Sequence, residues 1–572
     1  MRFWAPTSPA TGIGNGAGSG AGTGAGAGAV PGVDWIRAKR GWLGRCTKQR
    51  FLRYPSADFN EQAPTTMSTQ EPQGEEAVEV ATDRIAERAN RLAKLEGFKA
   101  AGIHPYPAKF EKGMDLKDAR ELEENAPAKS AGRIMLFRQM GSITFAHLQD
   151  FSGRMQVIFK KDTLGPDLYK LITKSHDLGD FIGVEGTIFT TKTGEKSILV
   201  KTWTFLGKAL LPPPDKFHGL KDRELLYRQR YLDLMANEET RKRFALRSDF
   251  LRGIREFYWQ EGFMEVETST LMHNATGAAA RPYHTHNNAL DIDLVLRISH
   301  ELPLKELIVG GFEKVFEMGK AFRNEGHDPS HLPEHTHLEH YAAFWSFEEN
   351  IRFTERMFDF LLDRLNLPRQ MTLKDREGND HVVDWSTPWP RQDYVELIKR
   401  DSGIDVMSYD SADKLRADIR SRGIEFDGMK SMGLTTLIDN LYKKVSRPKI
   451  IRPTILVNYP KILQPLARVS DQDARLVDQF QLVVNGWEIV KAYSELVDPI
   501  DQRERFVEQS AAKSEGDEEA MDVDEGYLVA MEHGMPPISG WGMGVDRVLA
   551  LLTGQDNLRD VVLFPLMRPE QG

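Results

Sequence analysis

The residues best equipped for chemistry fall in two runs far apart in the chain. VFEMGKAFRNEG (315–326) has the alternation of a strand, which sets Arg323 and Glu325 on one face. HTHLEHYAAF (335–344) has the alternation of a return strand. It carries His335, His337, Glu339 and Tyr341 on one face and turns Leu338 and Phe344 toward a core. The intervening GHDPSHLPE, with His331, is polar and rich in turn formers. An arginine, two glutamates and a tyrosine on one hairpin face make either a binding site or a solvated face laced with ion pairs. The second run, SGWGMGVDRVLALL (539–552), places Gly540, Gly542 and Gly544 where a backbone can pass close to something, and Arg547 at the opening of an apolar helix. Arginine suits phosphate or the face of a flat ring, although a glycine lead-in also serves plain scaffolding. His331-Leu-Pro-Glu-His335 matches the HxxEH zinc-protease pattern. That pattern needs an intact helical turn, which Pro333 breaks.

These runs need a frame. Residues 211–572 mix helices with strands: Phe250, Ile254, Phe257 and Tyr258 give one helix an apolar face that Gly262 ends, and Met357, Phe358, Leu361 and Leu365 do so for a helix over 351–365. VVNGWEI carries Asn485-Gly486, the strongest short hairpin signal. Hairpins in place of βαβ units predict an antiparallel sheet flanked by helices. With no GxxxxGK[ST] loop and no strand-linked GxGxxG, any nucleotide must be held differently. Residues 125–210 hold RIMLF, ITFAHL, RMQVIF, FIGVEGTIF and SILVKTWTF, parted by turns at Gly141, Gly153 and Gly194. Such spacing predicts a small Greek-key β-barrel of the OB type, joined to the rest through Pro212–Pro214. The class is therefore α+β and multidomain.

Residues 67–124 form a helical segment, with Ile85, Leu92 and Leu95 as an apolar stripe and Gly102 as its stop. Residues 1–66 are a tail, Gly/Ala-rich over 11–32 and basic over 33–54, expected to be disordered. The basic stretch fits a solvated extension or a transit peptide. At 572 residues the chain needs more than one core. Cys46, the single cysteine, excludes a disulfide framework and a cysteine-built zinc site. No apolar run approaches the roughly 18–20 residues of a membrane span. The net charge of −9 leaves a local basic face possible.

FRNE (322–325) with the strand bearing Glu339 resembles motif 2 of class II aminoacyl-tRNA synthetases. GMGVDRVLALL (542–552) resembles motif 3, and the helix running into GFMEVET (262–268) resembles motif 1. TGAAARPYHTHNNALDIDLVLRISHELPLK (276–305), SELVDP (494–499) and RDVVLFPLMRPE (559–570) are similar to the lysine enzymes of that class. The resemblance implies ATP-dependent activation of L-lysine and its transfer to tRNA(Lys) by a cytoplasmic homodimer with Mg²⁺. A transit peptide in residues 1–66 would instead make the compartment mitochondrial. By resemblance, Arg323 and Arg547 are catalytic, and Glu325, His331, His335 and Glu488 complete the ATP site. Gly277, Glu301, Glu339, Tyr341, Lys491, Tyr493 and Glu495 form the lysine pocket. Glu488, Glu495 and Gln481 face the metal, and Arg138, Phe145 and Gln156 read the anticodon.

The chain departs from the family pattern at Ser269, where motif 1 ends in proline, and at His335, where the adenine-stacking residue is phenylalanine. Gln481 stands for a metal carboxylate, Lys491 for an asparagine and Tyr493 for a phenylalanine. Lys491 is expected to point toward the α-carboxylate and to pair with an acid in the empty site. Strict alternation after Gly486 sets Glu488 and Lys491 on opposite faces, so a common site needs a bulge. A tRNA-binding pseudoenzyme and a lysyl transferase with another acceptor are the rival readings.

Overall fold

Period-two alternation closes the first half of the molecule into a barrel. In the computed structural model β1 (Pro127–Met140), β2 (Ile143–Gln149), β3 (Arg154–Lys160), β4 (Phe181–Thr190) and β5 (Lys196–Gly207) pair in the order β1-β2-β3-β5-β4 and close. Along β2, Thr144, Ala146 and Leu148 are buried, while Ile143, Phe145 and His147 face out. Helix α1 (Gly74–Ala100) docks on the barrel through Leu95 and Phe98, the latter stacked on Phe205 at 4.2 Å. Ile85, expected in that apolar stripe, is 71% exposed; the docked face lies nearer the helix end, which Gly102 stops with φ of 74°. The structure describes residues 74–214, 223–278, 280–324, 326, 328–514 and 523–569, less the side chains of 74–83 and 511–514. The tail 1–66 and Glu325 lie outside the described residues.

The second half is built on an eight-stranded sheet. In chain order its strands are β6 (Met264–Glu265), β7 (Lys314–Phe322), β8 (Glu334–Ala343), β9 (Arg391–Asp393), β10 (Thr454–Pro460), β11 (Leu476–Val484), β12 (Trp487–Ser494) and β13 (Ile538–Gly544). Their spatial order is β9-β10-β11-β12-β13-β8-β7-β6. The central pairs are antiparallel, as hairpin signals predict, but β9–β10 and β6–β7 are parallel, so the sheet is mixed at both edges. Asn485 and Gly486 take φ of 49° and 72° and turn β11 into β12. Two consecutive positive φ values define the type I′ turn that this dipeptide favours.

One face of the sheet is covered by helices. Phe250, Ile254, Phe257 and Tyr258 of α2 (Glu238–Gln260), Met357, Phe358 and Leu361 of α4 (Phe347–Arg364), and Val548 and Leu551 of α5 (Val545–Leu552) share one core with Leu338, Ala342 and Trp541. A further helix, α3 (Glu301–Val309), sits on the opposite face. Ser346 and Glu349 close a capping box that fixes the start of α4. Phe344, expected in the core, is 70% exposed with φ of 63°. Alternation fails there because β8 ends one residue earlier, at Ala343.

His340 pins β8 to this core. Its Nδ1 accepts from the Tyr258 hydroxyl at 2.8 Å, its Nε2 donates to Asn350 Oδ1 at 2.8 Å, and its ring stacks on Trp541 at 5.0 Å. Burial outweighs the Asn350 bond and pushes the imidazole down to about 3, so the ring is neutral. The unfolded chain then binds a proton that the native chain refuses, so stability is complete above the ordinary histidine value of roughly 6.5. It is lost as pH falls from there toward about 3. Denaturant unfolding across this range should show that loss, and His340→Gln, which bonds but cannot be protonated there, should reduce the slope. An unchanged slope would remove His340 from the account.

Candidate active site

The strand that opens the second chemical run, β13, has almost no side chains on one face. Register sets Gly542 of β13 between Lys491 of β12 and Glu339 of β8, and Gly540 between Tyr493 and Tyr341 in the next row. The flanking side chains therefore face each other over a glycine floor, two strand spacings or about 9.6 Å apart. A Cβ on Gly540 would collide with Glu495 Oε1 and the Tyr341 ring, and one on Gly542 would lie 3.1 Å from His337 Nε2. Above the floor is a cavity of about 580 Å³, lined among others by Gly277, Glu301, Arg323, His331, His335, Glu339, Tyr341, Gln481, Glu488, Lys491, Tyr493 and Arg547. The glycine run, weak by itself in sequence, is what lets residues as far apart in the chain as Glu339 and Lys491 share one space.

One end of the cavity is acidic. Glu339 accepts from Ser299 Oγ at 2.7 Å, the His300 amide at 3.0 Å and the Tyr341 hydroxyl at 3.4 Å. Burial alone would raise its carboxyl, but the His300 bonds and the adjacent imidazoles outweigh this and hold it well below the usual carboxylate range. Glu301 accepts from the Tyr493 hydroxyl at 2.7 Å and from Lys305 Nζ at 2.6 Å. Lys305 also reaches Glu495 at 2.5 Å. Burial opposes charge on Lys305, yet the Glu301 and Glu495 carboxylates win and raise its pKa. Burial and then Glu301 push Glu495 upward against the Lys305 charge, so this carboxylate is short of positive partners. Gly277 lies beside Glu301 with φ of 86°, and a Cβ there would meet Glu301 Cβ at 2.9 Å.

Lys305, Ser299 and His300 were missed in the sequence. Lys305 had a signal, since it follows Glu301 by four residues on an apolar helix. Lys491 lines the cavity with its Nζ 5.7 Å from the Tyr493 ring centroid. Among the described residues no hydrogen bond or ion pair joins it to an acid, contrary to expectation. Removal from water lowers its pKa, as does Arg323, against the pull of Glu301, Asp439 and Glu488.

The other end is cationic. Arg323 leaves the end of β7, where its amide donates to Pro333 O at 2.9 Å and its Nε to Ile298 O at 3.2 Å. Arg547 Nη1 donates to Glu488 O at 3.0 Å. Its helix is anchored by buried Asp546, which accepts from Arg247 at 2.6 Å and from the Thr336 amide at 2.8 Å. His335 lies beside Arg323 and Arg547, and burial followed by their charge keeps it neutral. His331 contacts Asp328 at 2.7 Å in a turn, with no helix to suit zinc. Register slips in β12 between the pairs Val483–Glu488 and Leu482–Val490. This bulge brings Glu488 and Lys491 to the same cavity, as alternation required.

The proposed metal set needs correction. Glu495 is buried against Lys305 and is absent from the cavity wall, whereas Glu488 and Gln481 line it. Gln481 Oε1 accepts from the Tyr459 hydroxyl at 2.8 Å. Among the described residues no cluster of three or more His, Cys, Asp or Glu is arranged for a metal.

On the barrel, Arg138 pairs directly with Phe145, and His147 with Gln156. Phe145 is half-buried on the outer face and is not barrel core. Gln156 is held by Glu195 at 2.9 Å and Ser197 at 2.8 Å, and Arg138 is exposed.

Residues 129–206 match the family model of the OB-fold nucleic acid binding domain. Residues 222–568 match that of class II tRNA synthetases of the D, K and N group. The chain is 41% identical over 491 residues to the lysine–tRNA ligase of Thermosipho africanus, covering 84% of this chain and 96% of that protein. It is 42% identical over 514 residues to the Escherichia coli O157:H7 lysine–tRNA ligase, covering 88% and 100%. The Aquifex aeolicus lysine–tRNA ligase is 42% identical over 461 residues, covering 80% and 76%. The chain is thus a class II tRNA synthetase by fold and motif. Within that class it belongs to the lysine–tRNA ligase family.

The glycine floor makes a sharp contrast testable by thermal unfolding. Gly540→Ala forces a methyl into Glu495 and Tyr341, and overpacking of this kind costs about 1–3 kcal/mol. Gly542→Ala is tight only against the His337 ring edge, with Glu339 Cγ at an ordinary 3.7 Å, and should cost much less. Equal losses would mean that the floor is not packed as described.

Proposed function

We propose that this chain activates L-lysine with ATP, releasing pyrophosphate, and esterifies the lysyl group onto tRNA(Lys). The carrying observation is the charge balance of the acidic end. Three enclosed carboxylates, Glu301, Glu339 and Glu495, stand against two lysines, Lys305 held between Glu301 and Glu495 and Lys491 facing Glu339 across the floor, and Arg323 stands at the opposite end of the same cavity. A diammonium substrate with one carboxylate matches both ends. Family membership supports the same reading.

In the first step a lysine carboxylate oxygen attacks the α-phosphorus, forming the mixed anhydride while the bond to pyrophosphate breaks. Arg323 is placed to hold carboxylate and α-phosphate together, which supplies proximity and charge stabilisation. His335 supports adenine stacking as a neutral ring, and Arg547 supports the outer phosphates. Mg²⁺ fits as a phosphate-bound ion, since such ions take one or two protein carboxylates and keep other ligands from substrate and water. Glu488 with Gln481 would hold it and it would supply charge neutralisation. Homodimerisation and a cytoplasmic location belong to this proposal as properties that the family supports.

The rival readings divide on lysine-dependent ATP–pyrophosphate exchange, which a pseudoenzyme lacks. Removing one partner of an enclosed charge costs about 2–5 kcal/mol, so Glu339→Gln should raise the lysine requirement well over tenfold, leaving ATP binding nearly unchanged. Lys491→Ala should weaken lysine binding in a calorimetric titration if Nζ meets the carboxylate. Tighter binding would show that Lys491 blocks the pocket and would favour the pseudoenzyme.

The barrel face gives a separate test. Stacking of one base on an aromatic ring is worth about 1–3 kcal/mol. Phe145→Ala should therefore weaken tRNA charging roughly 5- to 150-fold and spare pyrophosphate exchange. Equal damage to both assays would assign Phe145 to barrel stability.

A further inference from the structure

Three arginines from three separate elements converge on two consecutive residues at the start of β12. The Arg376 guanidinium lies over the Trp487 ring at 5.6 Å. Arg447 Nη1 is 3.4 Å from Glu488 Oε1, and Arg547 Nη1 donates to Glu488 O at 3.0 Å. Arg376 sits in the turn of a hairpin formed by Gln370–Lys374 and Asp380–Asp384, and Asn485 Nδ2 ties that hairpin to the β11–β12 turn through Lys374 O at 2.8 Å. Arg447 begins a short 3₁₀ turn, Arg447–Lys449, and its side chain is 15% exposed. Neither was singled out in the sequence.

The local charges do not cancel. Lys443 is matched by Asp439 at 2.6 Å, and Asp328 by His331 and its own turn. Among the described residues the Glu488 carboxylate pairs with Arg447, and Arg376 has its ring contact with Trp487 but no ion pair. Arg376 has its proton affinity reduced by partial burial and then by Arg447 and Arg547, so these cations feel one another. Holding like charges together costs energy unless an anion joins them. Guanidinium forks fit phosphate oxygens bidentately. The metal side is correspondingly poor, because Gln481 brings no charge and the Glu488 carboxylate is shared with Arg447.

We propose that Arg376 and Arg447 form, with Arg547, a clamp for the pyrophosphate portion of the nucleotide. This clamp supplies from the protein part of the neutralisation that a divalent ion would otherwise provide. The inference rests on the nucleotide reading of this cavity and extends it to two residues outside the cavity wall.

The test is calorimetric titration of inorganic pyrophosphate into the full chain in excess EDTA, with Arg376→Ala, Arg447→Ala and Arg376→Lys alongside. The parent should bind without metal. Each alanine variant should lose roughly tenfold or more in affinity, as expected for a charge-assisted contact. Arg376→Lys should fall between, and the KM for ATP should rise with lysine affinity unchanged. No metal-free binding by the parent, or full binding by both alanine variants, overturns the clamp. Arg376 sits in a hairpin turn and keeps part of its surface in solvent, so its variant carries the test even if loss of Arg447 perturbs folding. Absence of lysine-dependent exchange, with metal-free pyrophosphate binding present and lost in the variants, would sink the lysine reading alone.

Discussion

The active centre depends on a steric vacancy. β13 runs through the middle of the sheet with glycine at every position that faces the cavity, and each missing Cβ is space that a functional side chain uses. Tyr341 and Glu495 occupy what a side chain at Gly540 would take, and His337 edges over Gly542. The opposite face of the same strand carries Trp541 and Met543, both buried. One strand therefore serves two opposed demands, a filled core below and an open floor above. Period-two alternation of glycine with large residues is the simplest way to meet both.

The cavity built on that floor is polarised along its length. Carboxylates gather where α3 meets β8 and β12, and guanidinium groups gather at the ends of β7 and the start of α5. Polarity of this kind orients a substrate that carries both signs before any chemistry occurs. It also explains the neutral imidazoles along β8. Burial and the two arginines push His337 down to about 3, so it adds hydrogen-bonding capacity without adding charge to either end. Lys491 is the exception, a cation placed opposite the acids, and its lowered proton affinity makes its charge sensitive to what binds beside it.

Much of this was legible because local signals and tertiary demand agreed. Alternation in HTHLEHYAAF placed His337, Glu339 and Tyr341 on the cavity face, and Asn485-Gly486 gave the turn that delivers Glu488. Where reading failed, the cause was an event that alternation cannot carry. Phe344 went to solvent because the strand stopped one residue early, and Ile85 because the docking face of α1 lay farther along the helix. The bulge at Glu488 was demanded by the chemistry yet had no sequence signature. Lys305 shows the opposite case: its spacing from Glu301 was visible, but only burial turns a routine helical pair into part of a site.

Glu495 marks the boundary of what resemblance can deliver. A residue assigned both to the substrate ammonium and to the metal cannot serve both while it lies against Gly540 and Lys305 holds it at 2.5 Å. The pair is enclosed, and a buried charge pair contributes little net stability beyond what apolar packing would give. Its retention is better understood through its imbalance. Two carboxylates share one lysine, so the pocket is stable when empty yet short of one positive charge. An arriving ammonium relieves that shortage near Tyr341 without displacing Lys305. The acid network is thus a preorganised solvent for a cation, and its cost in the empty protein becomes selectivity when the site is filled.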